Sequence, residues 1–499
     1  MGAKEQLDEI HGKLLKAVQQ RIWEVLPKDG NIKTAEERRE EGAALRKQVP
    51  RSSHGAWEAA PGRPDPVELL KTQGRSRVQD LLPLRYERMS QSAFTFYRGG
   101  ALIMASDLSQ TPVTGIEVQA CGDAHISNFG LYTSPERRTV FDINDFDETL
   151  RGPWEWDVKR LATSVEICGR DRGFKKKDRE AIVLACVEGY RKAMAKFATM
   201  GEMDVWYAKQ DVEDLLSKVA DEGVISKDAA KKVAKGVERA KKKDSSRAIA
   251  KFTEVVDGRL RIVSDPPMVI PLRDMAKRKG EGDYLAVADM RELISLALFE
   301  YRRSLPPERR MLIERYHGVD VAHKVVGVGS VGTRALIVVM QGASEDDYLV
   351  LQVKEAQKSV LEPFCGKSST FERGQRVVEG QRAMQSSSDM LLGWCRLPDE
   401  DKGFRDYYVR QLWDGKGSVD YATVTKRQLK ALATACGGTL ARAHARTGDR
   451  FAIAGYLGSS DSFDRAIAQF AVAYADQNEA DYDRFMWALQ NGELEAKPT

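Results

Sequence analysis

Two acidic turns carry the side chains best suited to chemistry. QACGDAHISNFG follows an apolar run and places Asp123 and Asn128 five positions apart. Phosphoryl transfer requires a carboxylate that orients or deprotonates the incoming hydroxyl, and a neutral oxygen ligand for Mg2+ close by. A D-x-x-x-x-N turn supplies both. The next apolar run leads into VFDINDFDETLRGPWEWD, which offers Asp142, Asp145 and Asp147. Mg2+ takes few protein ligands and fills its octahedron with phosphate oxygens, so a carboxylate at a strand end suits a second ligand. Asp145 is the one expected to serve. Asp and Asn also favour turns because their side chains imitate backbone turns, and that plainer explanation is the better one for Asp142 and Asp147. His125 reads as a loop histidine with its hydrogen bonds satisfied.

A second constellation lies far downstream. VVGVGSVGTRALIVVM holds Gly327, Gly329, Ser330 and Gly332 in a G-x-G-x-x-G arrangement that two folds share. In a dinucleotide-binding fold the glycines open a helix. Here the β-branched, apolar run 335–340 follows them and reads as a strand. Strand, glycine loop, strand is the kinase arrangement, in which the loop covers the ATP phosphates. No Lys-Ser/Thr ends the loop, which speaks against a Walker A site. A third strand, YLVLQVKEA, brings Lys354. In a kinase the corresponding lysine neutralises the α and β phosphates and is itself held by a helix glutamate. Lys354 shares a strand face with Gln352. The following helix offers Glu372 and Glu379 as its partner, and Glu379 is the expected one.

These residues need strands and helices to hold them. Short strands are expected at 115–120 and 138–143, with a helix from 156. A hairpin is expected within 252–270, where Asp257-Gly258 is a tight-turn signal. Helical patterns cover 287–316, 371–386 and the stretch from 425 onward. The class is therefore α+β, with a small antiparallel sheet near 323–412 and a mostly helical remainder. Five segments follow: a helical extension 1–48 ended by Pro50, a catalytic-loop and metal-binding part 49–175, a helical, lysine-rich insertion with a hairpin 176–320, a β-rich nucleotide-binding lobe 321–420, and C-terminal helices 421–499.

Composition fits such an enzyme. Of the residues, 42% are hydrophobic and 30% charged, ordinary values for a globular protein. Basic and acidic residues nearly cancel, 78 against 74, so net charge argues against nucleic acid as a partner. The lysine-rich stretch 226–251 reads as a solvated helix face. No apolar run is long enough to span a membrane, and the first residues lack the apolar core of a secretory signal. Six scattered cysteines with no CxxC pair suit reduced thiols. The expected location is the cytoplasm.

The two constellations occur in the reverse of the usual kinase order, and a circular permutation would account for it. VPRSSHGAW, RYERMSQSAFTFYRGGALIMASDL, CGDAHISNFG, FDINDFDETLRGPWEWDVKRLA, QVKEAQKSVLE, GQRVVEGQR and LARAHARTGD together resemble a bacterial family of domains of unknown function, number 2252. A looser resemblance is to aminoglycoside- and choline-kinase-like phosphotransferases. It implies a two-lobed, protein-kinase-like fold with extra helical segments. It also implies Asp123 as catalytic base, Asn128 and Asp145 as Mg2+ ligands, and Asp157 as a buried structural aspartate. YYVRQLWDGKGS resembles the hinge strand between lobes, which puts Gln411 at the nucleotide. GGTLARAHARTGD resembles the helix that precedes the catalytic loop. Cys121 stands where that group often has histidine.

The position before Asp123 is Gly122, where loop-regulated protein kinases carry arginine, and little chain separates Asp145 from the next helix. Both features favour a small acceptor. Arg85, Arg88 and Arg98 precede the catalytic loop and are the expected anchors for an anionic one. The expected activity is Mg2+- and ATP-dependent transfer to a hydroxyl- or amine-bearing small molecule. The alternatives are a nucleotide-binding pseudokinase or nucleotidyl transfer on the same fold.

Overall fold

The computed structural model describes residues 33–209, 211–212, 235, 245–275, 287–325, 327, 329–399, 403–412, 417 and 419–497. The first 32 residues of the expected N-terminal helix, and nearly all of the lysine-rich 226–244, lie outside the described residues. What remains of the N-terminal extension is α1, Ala35–Ala44, opened by a Thr34/Glu37 capping box.

Four short helices come next: α2, Pro66–Gly74; α3, Leu82–Met89; α4, Ala93–Gly99; and α5, Ala101–Leu108. Two small sheets follow. β1 (Glu117–Ala120) pairs antiparallel with β4 (Leu150–Pro153), and β2 (Phe129–Thr133) pairs with β3 (Thr139–Ile143). β2 and β4 are strands that the sequence patterns do not announce, because each is short and broken by Gly130 or by Gly152 and Pro153. α6, Trp154–Asp171, then runs through the interior; all its residues from Trp154 to Gly169 are buried. α7, Lys176–Phe197, packs on α10, Lys426–Thr447, so closely that a Cβ on Gly189 would lie 2.7 Å from the Thr434 carbonyl. Glycine is what allows that approach.

The predicted hairpin forms as β5 (Thr253–Val256) and β6 (Arg259–Ile262). Its turn residues Asp257 and Gly258 both have positive φ, 49° and 70°, as a type I′ turn requires. The main sheet is antiparallel and larger than expected. Its six strands are β7 (Val269–Pro271), β8 (His317–Lys324), β9 (Ala335–Gln341), β10 (Tyr348–Ala356), β11 (Gly393–Asp399) and β12 (Gly403–Gln411), in the order β11-β12-β10-β9-β8-β7. β8 ends at Lys324, just before the glycines, which leaves the glycine loop between β8 and β9. One face packs on Tyr301 of α8, Val287–Ser304, and on Leu305 just beyond it. α9, Arg373–Met384, joins β10 to β11. After α10 come α11, Arg450–Leu457, and the long α12, Ser462–Gln490. The mixed α+β class is as expected. Among the described residues no helix is long and apolar enough to cross a membrane.

Candidate active site

The chain leaves β1 into a left-handed turn at Gly122 (φ 79°), where any Cβ would collide with the Glu148 carbonyl. The Cys121 and Gly122 amides donate to the two oxygens of Asp157 on α6, at 2.6 and 3.0 Å. Asp157 also accepts from His444 of α10 at 3.1 Å and is buried, which is the structural role expected of it. Next along the loop, Asn128 folds back and its amide donates to the Asp123 carbonyl at 2.6 Å. This fixes the distance between the two side chains singled out in the sequence.

Asp123 Oδ1 accepts from Arg160 Nε at 2.6 Å, and the Arg160 guanidinium stacks on Tyr97, 4.4 Å from the ring centre. Burial raises the Asp123 carboxyl above its ordinary range, and Arg160 pulls against that shift. Arg160 lies three residues after Asp157, and Ser164, whose hydroxyl accepts from the Ile126 amide at 2.9 Å, lies four residues further on. One face of α6 thus supports the whole loop. That i, i+3, i+7 spacing is a helical signal that could have identified Arg160 from sequence.

The acidic turn after β3 brings its carboxylates to Lys354. The lysine ammonium is ion-paired with Asp147 and lies 3.7 Å from Asp145. Burial alone would depress the Lys354 pKa, but the two carboxylates outweigh it and raise it. Asp147 further accepts from Tyr408 at 2.7 Å and from Ser330 of the glycine loop at 3.4 Å. Burial pushes the Asp147 carboxyl up, and Lys354 with Tyr408 brings it below its usual value. Asp147, which the sequence suggested was a mere turn residue, joins Lys354, Tyr408 and Ser330 at the cleft. Asp142 is fully buried and bound by Arg442, Ser386 and Tyr132, a structural set away from the cleft.

The expected Lys354–Glu379 pair does not form. α9 buries the face carrying Arg376 and Gly380, which presses so near Thr149 that a Cβ would sit 2.5 Å from its methyl. Glu379, one turn on, falls at the edge of that face, exposed and hydrogen-bonded to Gln375 at 2.7 Å. Arg376 takes the inward place and donates to the carbonyls of Thr149, Asp147 (2.8 Å) and Gln357 (2.9 Å). Glu372 accepts from the Trp394 indole at 2.6 Å. Gln411, at the end of β12, is tied to Asp389 at 2.7 Å and does not line the cleft. Gln352 does share the face of Lys354, and accepts from Arg410 at 3.1 Å.

One cleft gathers Asp123, His125, Asn128, Asp145, Asp147 and Glu148 from the first half of the chain with Gly327, Gly329, Ser330 and Glu355 from the second. Gly332 adjoins Arg77 rather than the open space, a Cβ there falling 3.0 Å from the arginine Cβ. Burial holds the Glu148 carboxyl up at about 7. The three expected arginine anchors separate. Arg98 lines the cleft; Arg88 donates to the Gly327 carbonyl at 2.6 Å; Arg85 is fully buried on Gln73 and the Gly99 carbonyl. Arg77 and Gln73, which no motif marked, also line the cleft. His125 does so too, with its Nδ1 buried and without a hydrogen bond, contrary to the satisfied loop residue expected.

Such an arrangement can orient a hydroxyl at Asp123, share a divalent ion between Asn128 and Asp145, and offer Lys354 to an anion that displaces Asp147. No curated protein and no solved structure matches the chain. The profile of a family described as "Uncharacterized protein conserved in bacteria (DUF2252)" matches residues 77–488. That span takes in every residue of the cleft but Gln73, and the protein belongs to the DUF2252 family.

Proposed function

We propose that this protein is a Mg2+-nucleotide-dependent phosphotransferase acting on a small hydroxyl- or amine-bearing acceptor, on a circularly permuted kinase-like fold. One observation carries the reading: Lys354, from the strand after the glycine loop, lies 3.7 Å from Asp145, more than two hundred positions earlier in the chain, at the cleft that Asp123 and Asn128 line. Two motifs chosen for one chemistry would have no reason to meet if either were coincidental. The strand, glycine loop, strand, lysine strand and helix succession of β8 to α9 supports the kinase-like part. The permutation is supported by the end of α10, whose Thr447 hydroxyl accepts from the Gln119 amide at 3.2 Å, just before the catalytic loop.

In this reading Asp123 orients the acceptor and takes its proton, with a pKa raised by burial that Arg160 partly offsets. Asn128 and Asp145 would hold Mg2+, which neutralises charge on the phosphates when bound. Asp145 keeps a third of its side chain open to the cleft, as a ligand must. Among the described residues no group of three or more His, Cys, Asp or Glu side chains is arranged to cage a metal ion, so the remaining ligands would come from phosphate and water. Lys354 would exchange Asp147 for the nucleotide phosphates. The test is the melting temperature with and without Mg-ATP: stabilisation by mass action is expected in wild type and is lost in Asp145→Asn. No shift with Mg-ATP or any other nucleotide overturns the assignment. Label transferred from the γ-phosphate, and not the α-phosphate, separates phosphoryl from nucleotidyl transfer.

A further inference from the structure

Three buried polar atoms on the wall of the cleft have no hydrogen-bond partner: Arg98 Nε, Arg77 Nε and His125 Nδ1. Buried polar groups are nearly always paired, and each orphan calls for an explanation such as a missing ligand. The Arg98 side chain forms no hydrogen bond or ion pair with any described residue, and burial lowers its pKa. Its nearest carboxylate partner would be Asp123, which Arg160 already occupies. Arg77 is 7% exposed; it feels Glu148, Asp147 and Glu355 at a distance, yet among the described residues its guanidinium hydrogen-bonds only to the Val331 carbonyl. His125 is kept neutral by burial and by the neighbouring Arg98 and Arg160 charges, so it can offer one N–H. Two guanidinium forks and an imidazole lining one cleft match an oxyanion with three free oxygens better than a carboxylate with two.

We propose that the acceptor is a phosphorylated small molecule, whose phosphate monoester is held by Arg98, Arg77 and His125 while its hydroxyl lies at Asp123. The proposal rests on the phosphotransferase reading for the hydroxyl, and on the orphaned donors alone for the phosphate. In that reading the nucleotide phosphates would go instead to Lys354, which sits behind Asp145 and Asp147.

Inorganic phosphate is the probe, read by the melting temperature and by titration calorimetry on the full chain. Phosphate should stabilise wild type, and Arg98→Gln and Arg77→Gln should each weaken its binding about tenfold, the loss of one charge-assisted contact. Lys354→Met should leave phosphate binding unchanged. Without ligand, Arg98→Gln should melt no lower than wild type, since the arginine charge has no partner to lose. Should that variant fail to fold, Arg98→Lys keeps the charge without the fork and should still bind phosphate more weakly. The stabilisation should persist in saturating Mg2+ and a non-hydrolysable ATP analogue. Wild type that ignores phosphate, or an Arg98→Gln variant that binds it equally well, overturns the proposal. So does a phosphate effect abolished by the analogue or by Lys354→Met, which would place the anion in the nucleotide's own position. Failure of Mg-ATP to bind, with phosphate binding intact, would sink the phosphotransferase reading and leave the anion subsite standing.

Discussion

Replacing Lys354 by methionine probes the contact that joins the two halves of the chain. Methionine keeps the length and apolar stem of the side chain and removes only the ammonium, leaving Asp147 and Asp145 facing each other without it. Removing one partner of a buried pair typically costs about 3–5 kcal/mol. Asp147 retains its hydrogen bond from Tyr408 and 24% of its side-chain surface, so a cost of about 2–3 kcal/mol is expected after solvent screening. Unfolding entropy scales at about 2.1 cal/mol/K per residue, which for a chain of this size makes each kcal/mol worth roughly 1 °C. The melting temperature should therefore fall by about 2–3 °C near neutral pH. The pH dependence has a definite sign. Asp147 is lowered and Lys354 raised in the folded state. The pair thus contributes fully between the unfolded values, about 4 for aspartate and about 10.4 for lysine. The aspartate share is lost as pH falls through its depressed folded pKa, and the lysine share as pH rises through its elevated one. Differential scanning fluorimetry from pH 3 to 8 should show the gap between variant and wild type widest at neutrality and closing in acid. A variant within half a degree of wild type at pH 7, or a gap indifferent to acid, would refute the reasoning.

Other perturbations separate the site from its surroundings. Glu379→Ala should leave stability within about 0.5 kcal/mol and nucleotide binding intact, as for other exposed positions. Arg376→Ala strips three carbonyls of their donor and should cost about 2–3 kcal/mol in denaturant unfolding. Arg160→Gln removes the cation that opposes burial at Asp123, so its carboxyl rises further, and the acid limb of the pH–rate profile should move to higher pH. An unmoved limb would separate Asp123 from the proton transfer. Gly122→Ala, strained by positive φ and by the Glu148 carbonyl, should lower stability by more than about 1 kcal/mol and abolish transfer.

Local chemistry was legible where it was short-range. Asp257-Gly258 marked its hairpin because only a turn with two positive φ values needs that pair, and the run after Gly332 declared a strand by its β-branched residues. Asp123, Asn128, Asp145 and Lys354 were singled out because the chemistry restricts residue type and spacing together, and the structure brings them near one another. The rest depended on packing between distant segments. Glu379 and Arg376 are one turn apart on the same helix, and nothing in their spacing says which face meets Thr149. Asp147 reads as a turn former until β10 delivers a lysine to it. β4, with glycine and proline in four residues, is a strand only because β1 is beside it.

The loop after β1 takes its anchor, Asp157, from close by, but that anchor is itself held by His444, 287 positions later. Asp142, in the strand below, waits for Arg442, 300 positions on. On a ribosome adding about 5–20 residues per second, these partners emerge roughly fifteen seconds to a minute after the loop they secure. Throughout that interval the nascent chain displays its carboxylates without the helix that orders them. A polypeptide cut short anywhere before α10 would keep every residue of the acidic turns and still lack a formed site. Emergence of α10 is thus the event that fixes the geometry of both acidic turns.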